Sequence, residues 1–175
     1  MVVPDMKIDD LQHALGGVVL EAAYMERTLR ASFSALVGSK YAAVVDGRLA
    51  AAALIDHCEH IARYHTELAE PARATVLRAL RVCREVSHER NRVIHDAWAA
   101  RPGSFMVTLR GDGSARHVTV TVRTPAEVRQ LADRVGRAAD ELSDAMTAAL
   151  GPDWAQVEDE LSQELGHEIN TDPGR

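Results

Sequence analysis

The residues of this sequence best suited to chemistry are Arg90, Asn91 and His95, which lie within one predicted helix. Arg90 follows Val86 at the spacing of an apolar stripe, where another apolar residue is expected. A guanidinium is costly to bury alone, so Arg90 either extends to solvent or meets a planar anion. Histidine can exchange a proton near neutral pH. Arginine and histidine together therefore suit the binding of a planar anion and the transfer of a proton beside it.

The spacing of these residues distributes them over two sides of their helix. Asn91 and His95 are separated by about 40° around the helix axis and share a face, whereas Arg90 and His95 are separated by about 140°. One chain therefore presents the arginine and the histidine on diverging sides. Two such helices that face each other across a twofold axis could enclose one cleft containing both arginines and both histidines.

Four long amphipathic helices are predicted to carry and support these residues, because apolar residues recur at steps of three and four along each of them. Gly38 ends the first helix and Ser39 caps the second. Pro71 suits the first turn of the third helix, and Thr124 and Glu127 form a capping box at the start of the fourth. The predicted helices cover residues 9–36, 39–61, 70–97 and 124–149, and the predicted apolar side of the second comprises Tyr41, Val45, Leu49, Ala52, Ile55 and Ile61.

Between the third and fourth helices the apolar pattern changes to period two. Two alternating segments flank the turn sequence Gly111-Asp112-Gly113, which predicts a β-hairpin over about residues 105–123. A short acidic helix is predicted at 153–165, followed by a flexible tail at 166–175. The expected fold is mainly α: one domain of residues 1–165, a four-helix bundle with the hairpin inserted before the last long helix.

The composition is that of an ordinary globular protein. Hydrophobic residues make up 46% and charged residues 26% of the 175 residues, which excludes wholesale disorder. The net charge of −6 argues against a protein that coats nucleic acid generally. The charge is uneven, since residues 72–92 hold six arginines against two acids, and residues 153–173 hold seven acids and no Lys or Arg. The simplest interpretation of both runs is solvated helix faces.

Two further features bear on location. Cys58 and Cys83 are far from any C-x-x-C spacing and are predicted to be buried free thiols in a reducing compartment. The first residues lack the basic region and apolar run of a signal peptide, and no segment is apolar for long enough to span a membrane. A cytoplasmic location without membrane contact is expected.

The segment Glu89-Arg90-Asn91-Arg92-Val93-Ile94-His95 resembles the signature of HEPN domains: an arginine, a polar residue directly after it, and a histidine after a short spacer. The order of helices extends the likeness loosely to about residue 150. The resemblance implies an all-helical, usually dimeric domain. Many such domains are metal-independent endoribonucleases of toxin–antitoxin, phage-defence and CRISPR-associated systems. It implies that Arg90 and His95 are catalytic and that Asn91 assists.

The chemistry implied by this resemblance needs no metal and no cofactor, because the 2′-hydroxyl of RNA is its own nucleophile. One histidine would accept the 2′-hydroxyl proton, a second would protonate the 5′-oxygen, and the product would carry a 2′,3′-cyclic phosphate. The expected partners are RNA, a second copy of the chain, and a cognate antitoxin or defence-system protein. Residues expected to contact RNA are Arg84, His88, Arg92 and Trp98, and the hairpin could guide RNA, contact the partner subunit or be decoration.

One departure from the family concerns regulation. A toxin-type branch has a modifiable tyrosine two residues after the histidine. In this chain the two residues that follow His95 are Asp96 and Ala97, and neither is a tyrosine. Control by tyrosine modification is therefore in doubt. The acidic segment 153–173 suggests a different control, in which it covers the basic cleft when RNA is absent.

Two alternatives remain open. The first is a non-catalytic HEPN-like module that dimerises or docks a partner, with Arg90 in a structural ion pair. The second is a metal-dependent bundle enzyme that uses a patch on the second helix. In that patch Asp56 and His60 are one helical turn apart, with His57 between them and His65 beyond.

Overall fold

A computed structural model of the protein describes residues 8–39, 41–46, 48–95, 97–100, 106–111, 118–151 and 154. The described part is mainly helical, as predicted. None of its helices is both long and apolar enough to cross a membrane. The helices are α1 (Ile8–Val37), α2 (Ala42–Asp46), α3 (Ala51–Tyr64), α4 (Glu70–His95) and α5 (Pro125–Leu150).

The predicted ends of the first and last long helices are confirmed. Gly38 follows α1 with φ of 63°, a left-handed conformation that glycine adopts without a Cβ clash. At the start of α5, the backbone N–H of Thr124 donates to Glu127 Oε2 at 2.6 Å, and the N–H of Glu127 donates to Thr124 Oγ1 at 3.2 Å. This reciprocal pair is the predicted capping box. Gly151, with φ of 66°, ends α5.

The prediction of one continuous second helix is wrong, because the chain forms α2 and α3 with a break between them. The interval contains Gly47, and glycine weakens a helix interior. The predicted apolar side consequently fails in its first part. Tyr41 is 65% exposed and Val45 is 56% exposed, whereas Leu54 and Ile55 of α3 are fully buried.

The third helix also ends earlier than predicted. Helix α4 stops at His95, and Ala97–Ala100 forms strand β1 instead of a further helical turn. Residues Met106–Gly111 form β2 and Val118–Arg123 form β3. The strands pair antiparallel in the order β1-β2-β3, with Ala97 opposite Leu109 and Val107 opposite Val122. Pairing with β2 outweighs the helix propensity of the alanines in β1.

Several predicted features lie outside the described residues. Residues 112–117, which include Asp112 and Gly113 of the predicted turn, are outside the described part, so a continuous hairpin over about 105–123 stays a prediction. The acidic helix at 153–165 and the tail at 166–175 are likewise outside, apart from Trp154, which is buried.

The chain divides into two compact units, and the prediction of a single domain stays a prediction. Unit 1 comprises Met1–Ala23 and Glu85–Arg137; unit 2 comprises Tyr24–Arg84 and Ala138–Arg175. The core of unit 1 includes the fully buried Val18, Val93, Val128, Leu131 and Val135, and that of unit 2 includes the fully buried Leu29, Leu54, Ile55, Leu80, Leu142 and Met146.

Within unit 2, segments of four helices pack as a bundle. The contacts join α1 to α3, α3 to α4, α4 to α5 and α5 back to α1. The rings of Phe33 (α1) and His57 (α3) have centroids 6.2 Å apart, and Arg84 (α4) forms an ion pair with Asp56 (α3) at 2.7 Å. Cys83 Sγ (α4) donates to the Ala138 carbonyl (α5) at 3.4 Å, and the Tyr24 hydroxyl (α1) donates to Asp140 (α5) at 3.0 Å.

Within unit 1, small residues bring α1 and α5 close together, and a carboxylate joins α4 to its neighbours. A Cβ placed on Gly17 would lie 3.7 Å from the Cβ of Ala132. Glu89 of α4 binds Arg123 at the end of β3 and Arg134 of α5. The part of α4 that carries Arg90, Asn91 and His95 belongs to this unit.

Candidate functional site

Helix α4 places the three motif residues at different depths. Val86 is 7% exposed and Val93 is fully buried, so the apolar stripe predicted along this helix is present. Arg90 lies on the same stripe between them and is partly buried. It is already engaged by another group of the chain. The structure therefore places Arg90 where the spacing predicted and holds part of its side chain away from solvent.

Asn91 and His95 lie on the solvent side of the same helix. Both side chains are exposed, and His95 is the last residue of α4. Being four residues apart on a regular helix, they share a face, whereas Arg90 points toward a different side. An exposed imidazole beside an amide can exchange protons with a bound substrate. The three residues share one helix end, but the arginine and the histidine diverge, as the spacing predicts.

Glu89, directly before the motif, forms the best-connected ion pair of this region. Its Oε1 accepts a hydrogen bond from Arg123 at 3.1 Å, and its Oε2 accepts one from Arg134. Partial burial alone would raise the pKa of this carboxyl, but the bonds to Arg134 and Arg123 outweigh burial and lower the pKa. Glu89 is therefore a fixed anion that ties the motif-bearing end of α4 to β3 and α5.

An open groove of about 670 Å³ lies beside this ion pair. Its lining includes Glu89 together with Arg123, Arg134 and Arg137. Sequence analysis missed Arg123, Arg134 and Arg137, because the packing of distant segments brings them to one groove with Glu89.

The four residues expected to contact RNA fall into different settings. His88 and Arg92 are exposed on α4 in unit 1. Trp98 lies in β1 opposite Thr108, and its side chain is outside the described part. Arg84 belongs to unit 2, where it pairs with Asp56 at 2.7 Å and with Glu59 at 3.1 Å. The hydrogen bond to Asp56 is the main cause of a raised pKa of Arg84. This network gives Arg84 a structural role between α3 and α4, and its RNA contact stays a prediction.

The metal-binding alternative gains no support from the geometry of the second predicted helix. Asp56 pairs with Arg84, His57 packs against Phe33, and the His60 ring contacts that of Tyr64 in a tilted arrangement with centroids 5.1 Å apart. Among the residues that the structure describes, no group of three or more His, Cys, Asp and Glu side chains could hold a metal ion.

The cysteines are buried free thiols, as predicted. Cys58 and Cys83 are both fully buried and donate to the carbonyls of Leu29 and Ala138. Burial raises the pKa of each thiol to about 12. Because the thiolate is the reactive form, neither is suited to act as a nucleophile.

Comparisons with known proteins add no relative. No family model matches the chain, and no curated protein or solved structure matches it significantly. Any functional conclusion therefore depends on the site itself.

Proposed function

We propose that the protein is a homodimeric, metal-independent endoribonuclease of the HEPN type that acts in the cytoplasm. The observation that carries this proposal is the placement of the motif on α4. Arg90 is partly buried on the apolar stripe, while Asn91 and His95 are exposed at the end of the same helix. A guanidinium can pair bidentately with the oxygens of a phosphate, and a histidine can move a proton near neutral pH.

In the proposed reaction the 2′-oxygen of a ribose attacks the adjacent phosphorus. His95 accepts the 2′-hydroxyl proton as the new O2′–P bond forms. The P–O5′ bond breaks, and His95 of the partner subunit donates a proton to the departing 5′-oxygen. Arg90 pairs with the non-bridging oxygens as their negative charge increases, and Asn91 orients His95 or donates to the phosphate. The products are a 2′,3′-cyclic phosphate and a 5′-hydroxyl.

A second copy is needed because one helix directs Arg90 and His95 to diverging sides. In this proposal two α4 helices contribute to one cleft. Strands β2 and β3, as arms of the predicted hairpin, hold Arg123 against the start of the motif. A toxin or phage-defence role would add a cognate antitoxin or a defence-system protein as partner.

The test is cleavage of RNA in the presence of EDTA by the wild type, Arg90→Ala and His95→Ala. Each substitution should lower the cleavage rate by at least about 100-fold. Arg81→Ala and His60→Ala, exposed residues of unit 2, are matched controls that should retain full activity. Substrate with a 2′-deoxyribose at the scissile position should not be cut. Cleavage that survives both motif substitutions, or that needs a divalent metal, would overturn the proposal.

The second candidate is a non-catalytic HEPN-like module that dimerises or docks a partner. One observation favours it: Arg90 is partly buried and already engaged within the chain, as expected of a structural ion pair. It predicts no RNA cleavage under any condition, together with a lower melting temperature or weaker dimerisation when Arg90 is replaced. Retained stability with lost cleavage would exclude this candidate.

A further inference from the structure

We propose that the groove beside Glu89 binds the phosphate backbone of RNA next to the scissile position. We call it the arginine groove and define it by Arg123, Arg134 and Arg137, which line it together with three acids. The choice of RNA as the anion rests on the proposed function. The groove itself is argued from the contacts of unit 1, to which all its lining residues belong.

Two of the three guanidinium groups are held in place before any ligand arrives. Arg123, whose side chain is 18% exposed, binds Oε1 of Glu89, and Arg134, 45% exposed, binds Oε2. An arginine carries five N–H donors, so each keeps donors beyond those that face Glu89. Side chains that are already ordered lose less conformational freedom on binding. The pair therefore offers preformed donors to an anion.

Arg137 supplies the third cation on the same side of α5, since it follows Arg134 by three residues. Its side chain is exposed, and it forms no ion pair with any residue that the structure describes. A guanidinium that no described carboxylate binds is more available to a phosphate than one that is already paired.

The three acids of the groove, Glu89, Glu127 and Asp133, determine how strongly a bound anion is repelled. Glu89 is committed to two arginines, and Glu127 accepts bonds from the N–H and the hydroxyl of Thr124. Asp133, exposed on α5, has no such commitment to a described residue. Asp133 is therefore the acid that repels an incoming phosphate most directly, and its charge should limit the affinity of the groove.

Size and position both fit a stretch of polynucleotide. A volume of about 670 Å³ is within the range of pockets that hold small organic ligands, and the groove is open rather than enclosed. Glu89 lines it, and Arg90 is the next residue of the chain. A strand lying in the groove would thus pass the end of α4 where the proposed chemistry takes place.

The test measures binding of a labelled single-stranded 2′-O-methyl oligouridine, which lacks the nucleophilic hydroxyl, by fluorescence anisotropy at several salt concentrations. Arg137→Ala should weaken binding about fivefold and lower the slope of log affinity against log salt by about 0.7, the value of one lost phosphate contact. Asp133→Asn should strengthen binding by a similar factor. Arg81→Ala, an exposed arginine of α4 in unit 2, is the matched control and should bind as the wild type does.

The outcomes separate the groove from the proposed function. A gain of affinity in Asp133→Asn cannot come from misfolding, so opposite effects of the two variants support the groove. If RNA is cleaved in an Arg90-dependent way but Arg137→Ala and Asp133→Asn both bind RNA like the wild type, the proposal that the arginine groove binds RNA is wrong. If both variants alter binding but no RNA is ever cleaved, the proposed function fails and the groove stands as an RNA site.

Discussion

The arginines of residues 72–92 are used differently in the two units. In unit 2, Arg73 donates to the carbonyls of His65 and Leu68 at 2.9 Å each, and Arg84 pairs with two acids of α3. These guanidinium groups bind the chain to itself. In unit 1, Arg92 is exposed, whereas Arg90 is partly buried on the apolar stripe and is also engaged within the chain. A run that looks uniform in sequence therefore contains structural arginines followed by candidates for chemistry.

The helices of the two units also differ in glycine. The described helices of unit 1 contain Gly16, Gly17 and Gly136, whereas those of unit 2 contain none. Helical glycine weakens a helix unless a close approach requires it. A Cβ at Gly17 would make only an ordinary contact of 3.7 Å with Ala132, so no close approach requires this glycine. The unit that carries the candidate site thus has less intrinsic helix stability than the unit formed by the four-helix bundle.

The largest expected effect separates chemistry from stability. His95→Ala should lower RNA cleavage by at least about 100-fold, because it removes the proton acceptor. Its melting temperature, followed by circular dichroism, should stay at the wild-type value, since this exposed side chain ends α4. A large drop in melting temperature would mean that His95 supports the fold, so that the motif in unit 1 would be structural like the arginines of unit 2.

The next largest effect is expected at Glu89, the carboxylate of unit 1 that binds Arg123 and Arg134. Replacing it by glutamine should cost about 1–2 kcal/mol at pH 7, because two arginines lose their shared anion. The folded-state pKa of Glu89 is below its ordinary value of 4.5. Its stabilisation is therefore complete above that value and is lost as the pH falls through the folded-state pKa.

Urea unfolding at pH 7 and at acidic pH measures this effect. The wild type and Glu89→Gln should differ at pH 7 and converge in acid. Glu85→Gln, an exposed acid one turn earlier on α4, is the control and should follow the wild type throughout. A constant difference at every pH would show that the loss comes from packing rather than from charge.

A smaller loss is expected from Arg84→Ala, which removes two ion pairs of unit 2. Its side chain is 33% exposed and Asp56 is 63% exposed, so solvent screens the pairs and the cost should be about 1 kcal/mol. The free energy of unfolding in urea provides the measurement, with Arg81→Ala as control. If Arg84→Ala leaves the free energy of unfolding unchanged but weakens RNA binding, Arg84 acts as the predicted RNA contact rather than as a structural ion pair.

The smallest expected effect is a gain in the free energy of unfolding. Gly16→Ala should stabilise the protein by about 0.5–1 kcal/mol, because a Cβ at this exposed helical position meets nothing within 4 Å. Gly38→Ala should have the opposite sign and cost about 1 kcal/mol, since its φ of 63° strains any residue with a Cβ. Thermal unfolding of both variants checks the pair. A destabilised Gly16→Ala would reveal a contact that needs the glycine.

Sequence analysis succeeded where the controlling interactions are local. The apolar steps of three and four predicted a mainly helical protein and placed Arg90 on an apolar stripe, which the structure shows between the buried Val86 and Val93 of α4. It failed where a short-range break or a distant strand intervened. The second helix divides into α2 and α3, and α4 yields to β1 after His95. The ion-pair network between Arg84 and α3 was also missed, because the spacing of residues within α4 carries no information about α3.

By itself the sequence determined the helix ends at Gly38, Thr124 and Gly151, because left-handed glycines and capping boxes act over a few neighbouring residues. It also determined that Arg90 and His95 face different sides of one helix, since helical geometry depends only on their separation. Only the tertiary structure brought Arg123 and Arg134 to Glu89 and so created the arginine groove. Those partners are 34 and 45 residues away in the chain, and their approach depends on packing between elements rather than on local conformation.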